Sequence, residues 1–143
     1  MHTLQLCPSD MARDVASWPV VTKWLKAAIV HAKGRQNYAE VVDKCSNGKM
    51  QLWVVRKEQD EVVGTLVTEV RTHPDLKVCS IILLGGVGFD SWKHLAPYLE
   101  EWARGMGCDK LDLEGRPGWA RKLFNGWNLV GVFLEKDLVH GQT

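Results

Sequence analysis

The fold is decided by one stretch, Leu83-Leu84-Gly85-Gly86-Val87-Gly88-Phe89-Asp90-Ser91, in which an apolar strand runs into a glycine-rich turn and then a helix. Backbone N–H groups of such a turn and of the first helical turn point outward, and the helix dipole favours negative charge there. The alternative is a plain strand-to-helix turn, in which the glycines only allow tight backbone geometry. The stretch therefore predicts a strand–turn–helix unit and makes phosphate the first ligand to consider.

The chain before this turn predicts a meander of three strands. Apolar and β-branched residues fill residues 50–57, 62–72 and 76–84, and short polar turns separate them at 58–61 and 73–75. Connections this short favour antiparallel pairing between neighbouring strands. Because the glycine-rich turn follows an antiparallel meander and not a parallel βαβ unit, it favours a coenzyme A site over a dinucleotide site.

Helical patterns flank the meander on both sides. The first third of the chain opens with a short strand at 4–7 and continues with helical stripes that end near Gly34 and residues 46–48. After the turn, a helix from about Ser91 carries an apolar stripe, and Pro97 predicts a kink within it. The remaining predicted elements are a strand at 110–114, a helix from Pro117 and a final strand at 128–138.

The element order, β, α, α, β, β, β, α, β, α, β, predicts one α/β domain that spans residues 1–143. We expect a mixed, mostly antiparallel central sheet with helices on both faces. In several strands the residues that point to either face are apolar, so both faces need to be covered. The apolar stripes predict a largely buried set of large side chains, namely Trp24, Trp53, Trp92 or Trp102, Leu99, Leu111 and Leu113.

The composition describes an ordinary soluble globular protein. The formal net charge is +1, with 45% hydrophobic and 24% charged residues, so nothing indicates a nucleic-acid partner. The longest apolar run is too short to cross a membrane, and the first residues lack a signal-peptide pattern, which predicts a cytoplasmic protein. The scattered cysteines favour reduced thiols over a disulfide framework, and the histidines lack ligand spacing, so we expect no metal site.

Several motifs along the chain resemble the GNAT superfamily of N-acetyltransferases, and the resemblance covers nearly the whole chain. Residues 48–55, Gly-Lys-Met-Gln-Leu-Trp-Val-Val, and 61–65, Glu-Val-Val-Gly-Thr, resemble the family's second and third strands. Residues 111–114, Leu-Asp-Leu-Glu, followed by Asn-Gly-Trp at 125–127, resemble its fifth strand and closing Gly-aromatic pair. Residues 114–121, Glu-Gly-Arg-Pro-Gly-Trp-Ala-Arg, also resemble GNAT-like proteins carried by tailed phages and prophages.

The resemblance implies an acetyl-CoA site built mostly from backbone. In the family, the fourth and fifth strands splay apart, and backbone groups of the fourth strand bind the pantetheine arm. By resemblance, Ile82, Leu83 and Leu84 hold that arm, and the loop after them holds the pyrophosphate. The residues of that loop are Gly85, Gly86, Val87, Gly88, Phe89, Asp90 and Ser91.

The sequence departs from the family pattern at three points. No basic residue begins the glycine-rich segment, and Asp90 brings a carboxylate to it, which repels phosphate unless it caps the helix. Where many members place a tyrosine that protonates the departing thiolate, four residues before the Gly-aromatic pair, this chain has Lys122. The chain also has one evident strand after that pair, where the family usually has a hairpin.

Acetyl transfer to an amine requires a base that accepts the amine proton. The candidates are Glu69, on the third strand of the resemblance, and Glu114, at the end of the fifth, where a splayed sheet opens. The alternatives are that Glu69 faces solvent and that Glu114 pairs with Arg116 or Arg121. Cys79 and Ser80 lack an identifiable histidine partner, which argues against a covalent nucleophile.

These observations leave two hypotheses of different classes. The first is an acetyl-CoA-dependent N-acyltransferase in which an unknown amine acceptor attacks the thioester directly. The second is a catalytically degenerate GNAT-like domain, phage-encoded by the resemblance, that binds a protein partner. The glycine-rich turn favours the first hypothesis, whereas the missing basic residue and tyrosine favour the second.

Overall fold

The computed structural model describes residues 1–58, 61–114 and 126–140. A short 3₁₀ turn, Ser9–Met11, precedes the first α-helix, and another, Lys93–Leu95, joins the last two. The strands are β1 His2–Leu6, β2 Gln51–Lys57, β3 Glu61–His73, β4 Leu76–Gly86 and β5 Lys110–Leu113. The helices are α1 Ala12–Ser17, α2 Pro19–Val30, α3 Tyr38–Ser46, α4 Phe89–Trp92 and α5 Ala96–Gly105.

The strands form one five-stranded sheet in the order β1-β2-β3-β4-β5. The pairs β1–β2, β2–β3 and β3–β4 are antiparallel, and β4–β5 is parallel. The predicted antiparallel meander is therefore confirmed, as is the mixed, mostly antiparallel sheet. A helix begins shortly after β4 ends, as the strand–turn–helix pattern predicts.

Two β-bulges interrupt the central ladder. Between β2 and β3 the partners pass from Val55↔Gly64 to Arg56↔Val62, so Val63 is the extra residue. Between β3 and β4 they pass from Val67↔Leu83 to Thr68↔Ile81, so Ile82 is the extra residue. A bulge leaves its extra residue outside the ladder and bends the strand at that point.

Helices cover both faces of the sheet, as predicted. On one face, helices α1, α2 and α3 contribute Val15, Leu25 and Val41 to a core that includes Val67 and Leu83 of the sheet. On the other face, α4, α5 and the turn between them pack against the sheet through Trp92, Leu95 and Leu99, in clusters that include Val55, Trp53, Leu66 and Ile81. Local signals start two of the helices: Pro19 begins α2, and the Asn37 side chain accepts the Glu40 N–H at α3.

Trp53 is the best-anchored aromatic residue of the sheet. It is 4% exposed, its ring meets that of Trp102 edge to face at 5.1 Å, and its Nε1 donates to Thr68 Oγ1 at 3.0 Å. Thr65 Oγ1 in turn donates to the Trp53 carbonyl oxygen at 2.8 Å. The indole is therefore held by apolar contacts and by a fully paired N–H group.

The end of β4 approaches β3 closely because it carries glycines. Gly86 has φ +144°, and a Cβ built on it would lie 2.5 Å from the Val63 carbonyl oxygen. A Cβ on Gly85 would lie 2.8 Å from the carbonyl oxygen of Trp24 in α2. Both glycines therefore belong to β4, where the lack of a side chain lets neighbouring backbone atoms come close. The loop between β4 and α4 consists of Val87 and Gly88 alone.

Other sequence expectations differ from the structure. Pro97 lies in the first turn of α5 and begins that helix after a break, because a proline is tolerated there without loss of a hydrogen bond. Trp24, Trp102, Leu111 and Leu113 are half-buried, whereas Trp53, Trp92 and Leu99 are buried. The two half-buried tryptophans each precede a fully buried helix residue and so lie beside the buried face of the helix, and the two leucines belong to the edge strand β5. The predicted strand at 128–138 is wrong for the described chain, where that segment has no regular structure and exposes side chains such as Val130. The helix predicted from Pro117 lies outside the described residues.

Removal of the anchored indole gives a first test. Trp53→Ala should lower the free energy of unfolding by ~3–5 kcal/mol, because it leaves a cavity and removes the indole N–H that donates to Thr68 Oγ1. The matched control Trp102→Ala should cost less, because that side chain is only half-buried. Denaturant midpoints that shift equally in the two variants would contradict this description of the core.

Substitution of the two exposed glycines gives a second test. Gly88→Ala should cost about 1–2 kcal/mol, because φ is +68° but the space around the new Cβ is open. Gly86→Ala should cost clearly more, because its Cβ also collides with the Val63 carbonyl oxygen. The unfolding midpoints of the purified variants measure both effects, and a Gly86 variant as stable as the Gly88 variant would show that β3 and β4 do not meet this closely.

Candidate active site

The candidate site begins where β4 and β5 part. Strand β5 pairs with β4 from Val78↔Lys110 to Ile81↔Leu113 and then ends. Strand β4 continues to Gly86, and within the described residues no strand pairs with its β5-facing edge beyond Ile81. The sheet therefore opens into a gap between the two parallel strands.

The bulged residue Ile82 lies at the mouth of this gap. It follows the last residue of β4 that pairs with β5, and it has no partner in β3. Its backbone groups therefore stand outside the ladder at the point where the strands separate. Bulges are over-represented at sheet edges and beside active sites, where they re-aim a side chain or end the pairing.

The loop after β4 is tied to the sheet by its own backbone. The Val87 N–H donates to the bulged Val63 carbonyl oxygen at 2.9 Å, and Trp92 Nε1 donates to the Val87 carbonyl oxygen at 2.9 Å. The Ser91 N–H donates to the Gly88 carbonyl oxygen at 2.8 Å. Two of the N–H groups expected to point outward are thus engaged within the loop and its helix.

The loop offers a phosphate group no positive side chain and only a short helix. The residues from Gly85 to Trp92 include the acid Asp90 and no base. Helix α4 has four residues before the chain continues as a 3₁₀ turn, so its dipole is small. The loop nevertheless has open space for a ligand beside Gly88, since a Cβ built on this residue would have nothing within 4 Å.

The two candidate bases lie at different positions along the strands, one within the ladder and one past the end of β5. Glu69 is opposite Ser80 on β3, 24% exposed, and its Oε1 accepts from Arg71 Nε at 2.7 Å. Glu114 is exposed and directly follows β5, at the mouth of the gap. The suggested partners of Glu114, Arg116 and Arg121, lie outside the described residues, as does Lys122.

An apolar cavity lies beside the mouth of the gap, on the face covered by α4 and α5. Its lining includes Ile81 and Leu84 of β4, Leu111 of β5, Leu99 of α5 and Trp127. Trp127, the aromatic member of the Gly-aromatic pair, also packs against the cluster around Trp53. The cavity therefore places apolar side chains beside the strands that part.

The thiols do not supply a nucleophile. Burial raises the pKa of Cys79 to about 12, with further increases from Cys108 and Asp112 and a small opposing effect of the Thr68 hydrogen bond. Burial also raises the pKa of Cys45 to about 12. Both thiols are therefore protonated at neutral pH, and a protonated thiol is a poor nucleophile.

Sequence reasoning considered Ser80 only as a nucleophile and missed its place between two acidic residues. The Ser80 hydroxyl oxygen is buried and has no hydrogen-bond partner in the described part of the chain. Ser80 lies opposite Glu69 on one side and Asp112 on the other. The alternation of Leu111 and Leu113 with Asp112 and Glu114 could have indicated a shared polar face, but the register that brings Ser80 between two acids is visible only in the structure.

Among residues 1–58, 61–114 and 126–140, no helix is long and apolar enough to cross a membrane. Across the same ranges, no group of His, Cys, Asp and Glu side chains is arranged to hold a metal ion.

No family model and no curated protein sequence matches the chain. Solved structures resemble it over nearly its whole length. A ribosomal-protein-alanine N-acetyltransferase from Brucella melitensis biovar Abortus 2308 superposes with a TM-score of 0.66 at 16% identity, covering 99% of this chain and 100% of that one.

Two further structures share the likeness. An aminoglycoside acetyltransferase from an uncultured soil metagenomic sample, in complex with sisomicin, has a TM-score of 0.63 at 11% identity and covers 99% of this chain and 95% of that one. A predicted acetyltransferase with acetyl-CoA, from Clostridium acetobutylicum, has a TM-score of 0.62 at 13% identity and covers 96% of each chain. At these identities the likeness concerns the fold, and the fold of this chain is that of the GNAT acetyltransferases.

Proposed function

We propose that the protein is an acetyl-CoA-dependent N-acetyltransferase in which an acceptor amine attacks the thioester directly. The observation that carries the proposal is the parting of β4 and β5 at the bulged residue Ile82, with Glu114 at the end of β5. The fold is shared with acetyltransferases, one of which was solved with acetyl-CoA. Their acceptors differ, so the fold supports the donor more strongly than the acceptor.

The gap fits the arm of the coenzyme. Beyond Ile81, the β5-facing edge of β4 has no strand partner within the described residues. An extended chain that carries amide groups adds to such an edge as a further strand would. We therefore assign the pantetheine arm to the backbone of Ile82, Leu83 and Leu84, beside the apolar cavity.

The pyrophosphate is assigned to the loop and turn from Gly85 to Ser91. The open space at Gly88 supports this assignment, since a phosphate needs close approach to backbone. The engaged Val87 and Ser91 N–H groups and the carboxylate of Asp90 weaken it. We therefore expect an affinity lower than that of a loop with a basic residue.

The chemistry assigned to the chain is proton removal and polarisation. When bound, the coenzyme supplies the acetyl group as a thioester, so the N–C bond forms as the C–S bond breaks and the thiolate leaves. Glu114 accepts the proton that the amine must lose. The backbone at the Ile82 bulge is the nearest candidate donor to the oxyanion that develops on the carbonyl oxygen.

Calorimetric titration with acetyl-CoA tests the donor site. We expect saturable binding by the wild type and tighter binding by Asp90→Asn, most clearly at low salt, because a like charge near the pyrophosphate is removed. Asp75→Asn, in the β3–β4 turn, is the matched control. Wild-type binding that Asp90→Asn leaves unchanged would mean that Asp90 does not face the phosphates and instead caps the helix. No binding by either protein would reject the proposal and leave the protein-interaction module as the surviving hypothesis.

The base is tested separately from binding. Glu114→Gln should lower kcat by ~10²–10⁴-fold while acetyl-CoA affinity is retained, because the amine proton then lacks an acceptor. Glu69→Gln should lower kcat less, since Glu69 already pairs with Arg71. Glu101→Gln, on the exposed side of α5, is the control. Equal rates for wild type and Glu114→Gln would remove Glu114 from the mechanism.

A further inference from the structure

One polar side chain in the sheet has no explanation in the fold. Ser80 is 2% exposed, and its hydroxyl oxygen has no hydrogen-bond partner in the part of the chain that the structure describes. A buried hydroxyl without a partner costs about 1–3 kcal/mol relative to a paired one. Alanine or valine in its place would avoid this cost, so a partner that arrives from outside the chain would account for the serine.

The neighbours of Ser80 define what that partner would be. Residues directly opposite each other in a sheet project from the same face. Ser80 is opposite Glu69 of β3 and Asp112 of β5, so a carboxylate lies on each side of its hydroxyl. Adjacent strands lie ~4.8 Å apart, so three oxygen acceptors form one row across the sheet.

The row lies on the face opposite the apolar cavity. Ile81 packs against Leu99 of α5, so Ser80, its neighbour along the strand, projects from the face that α1, α2 and α3 cover. The apolar cavity and the row therefore flank β4 from opposite sides, near the residue where it parts from β5.

Basic and acidic residues around the row occupy different positions along the strands. Arg71 and Lys110 lie on either side of Val78, two residues before Ser80 along β4 and so farther from the gap. The acidic residues Glu69 and Asp112 flank Ser80, nearer to the gap, and Glu114 follows Asp112 by two residues, just past the end of β5. The acids thus lie on the side of the gap and the bases behind them.

The ion pair of Glu69 is compatible with a ligand. Its Oε1 accepts from Arg71 Nε, which orients the carboxylate and leaves Oε2 without a hydrogen-bond partner in the part of the chain that the structure describes. Glu69 is partly exposed and Asp112 is exposed, so both remain open to solvent next to the buried hydroxyl.

We propose that the row formed by Glu69, Ser80 and Asp112 binds a primary ammonium group of the acceptor, which makes the acceptor a compound with two or more amines. An ammonium group has three donors and no acceptor, which matches three oxygen acceptors, two of them charged. One amine is held by the row while another, deprotonated, reaches the mouth of the gap near Glu114. The reaction assigned to this acceptor rests on the proposed acetyl transfer, whereas the ammonium site itself does not.

Binding is tested without catalysis. In NMR titrations of the full chain, 1,4-diaminobutane should shift the amide signals of Glu69, Ser80 and Asp112 saturably, whereas 1-butanol should not. The shifts should weaken with added salt, because the carboxylates are partly exposed. Ser80→Ala and Asp112→Asn should each raise the dissociation constant several-fold, and the matched control Glu101→Gln should leave it unchanged.

Transfer is tested next, with acetyl-CoA and two acceptors of equal length. The wild type should prefer 1,4-diaminobutane to butylamine by about tenfold or more in kcat/KM, since only the diamine fills the row and the gap together. Ser80→Ala should bring this ratio towards one. Its unfolding midpoint should not fall, because the variant removes a buried hydroxyl that has no partner.

The outcomes separate the two proposals. Transfer to both amines at equal kcat/KM, with no shift at Ser80, would overturn the ammonium site and leave the acetyltransferase standing. Saturable shifts that Ser80→Ala abolishes, without transfer to any amine, would support the ammonium site and reject the acetyltransferase. A loss of stability in Ser80→Ala would show that the hydroxyl has a partner within the chain and would overturn the inference.

Discussion

The arrangement of the site depends on two breaks in the pairing of the central strands. At Val63 the extra residue turns a carbonyl oxygen out of the β2–β3 ladder, and Val87 N–H binds it. This bond, together with a Gly86 that lacks a side chain, holds the last residues of β4 against β3 and fixes where the loop begins. At Ile82 the second extra residue shifts the register of β4 where its contact with β5 ends. The first break therefore helps to fix where the loop begins, and the second coincides with the opening of the gap.

Much of the fold follows from patterns that sequence carries directly. Runs of β-branched residues between short polar turns predict the meander, and the switch of period after Gly88 predicts the helical turn. The end of β4 is harder to predict from the sequence. Gly85 and Gly86 read as turn residues because glycine is permissive, but the structure uses them for close approach to Trp24 and Val63, which are distant in sequence.

The segment 128–138 shows the limit of a local pattern. Its run of apolar and β-branched residues at 129–134 is typical of a strand, yet a strand exists only where another strand satisfies its backbone hydrogen bonds. In the described chain no strand pairs with it, and Leu129, Val130 and Leu134 are exposed. Arg35 contacts this segment twice. Its guanidinium stacks over the Phe133 ring at 4.5 Å from the centroid and forms an ion pair with Glu135 at 2.6 Å. That contact also lowers the pKa of the Glu135 carboxyl.

The site divides into a part that the fold determines and a part that this sequence determines. The gap and the bulge are features of the backbone, and the overall fold is shared with a ribosomal-protein-alanine N-acetyltransferase and with an aminoglycoside acetyltransferase solved in complex with sisomicin, so they say little about the acceptor. The row is instead formed by side chains. Because strand register alone places Glu69, Ser80 and Asp112 side by side, no motif along the sequence identifies them. If the row binds an ammonium group of the acceptor, as we propose, the choice of acceptor depends on polar side chains on the face of the sheet opposite the apolar cavity.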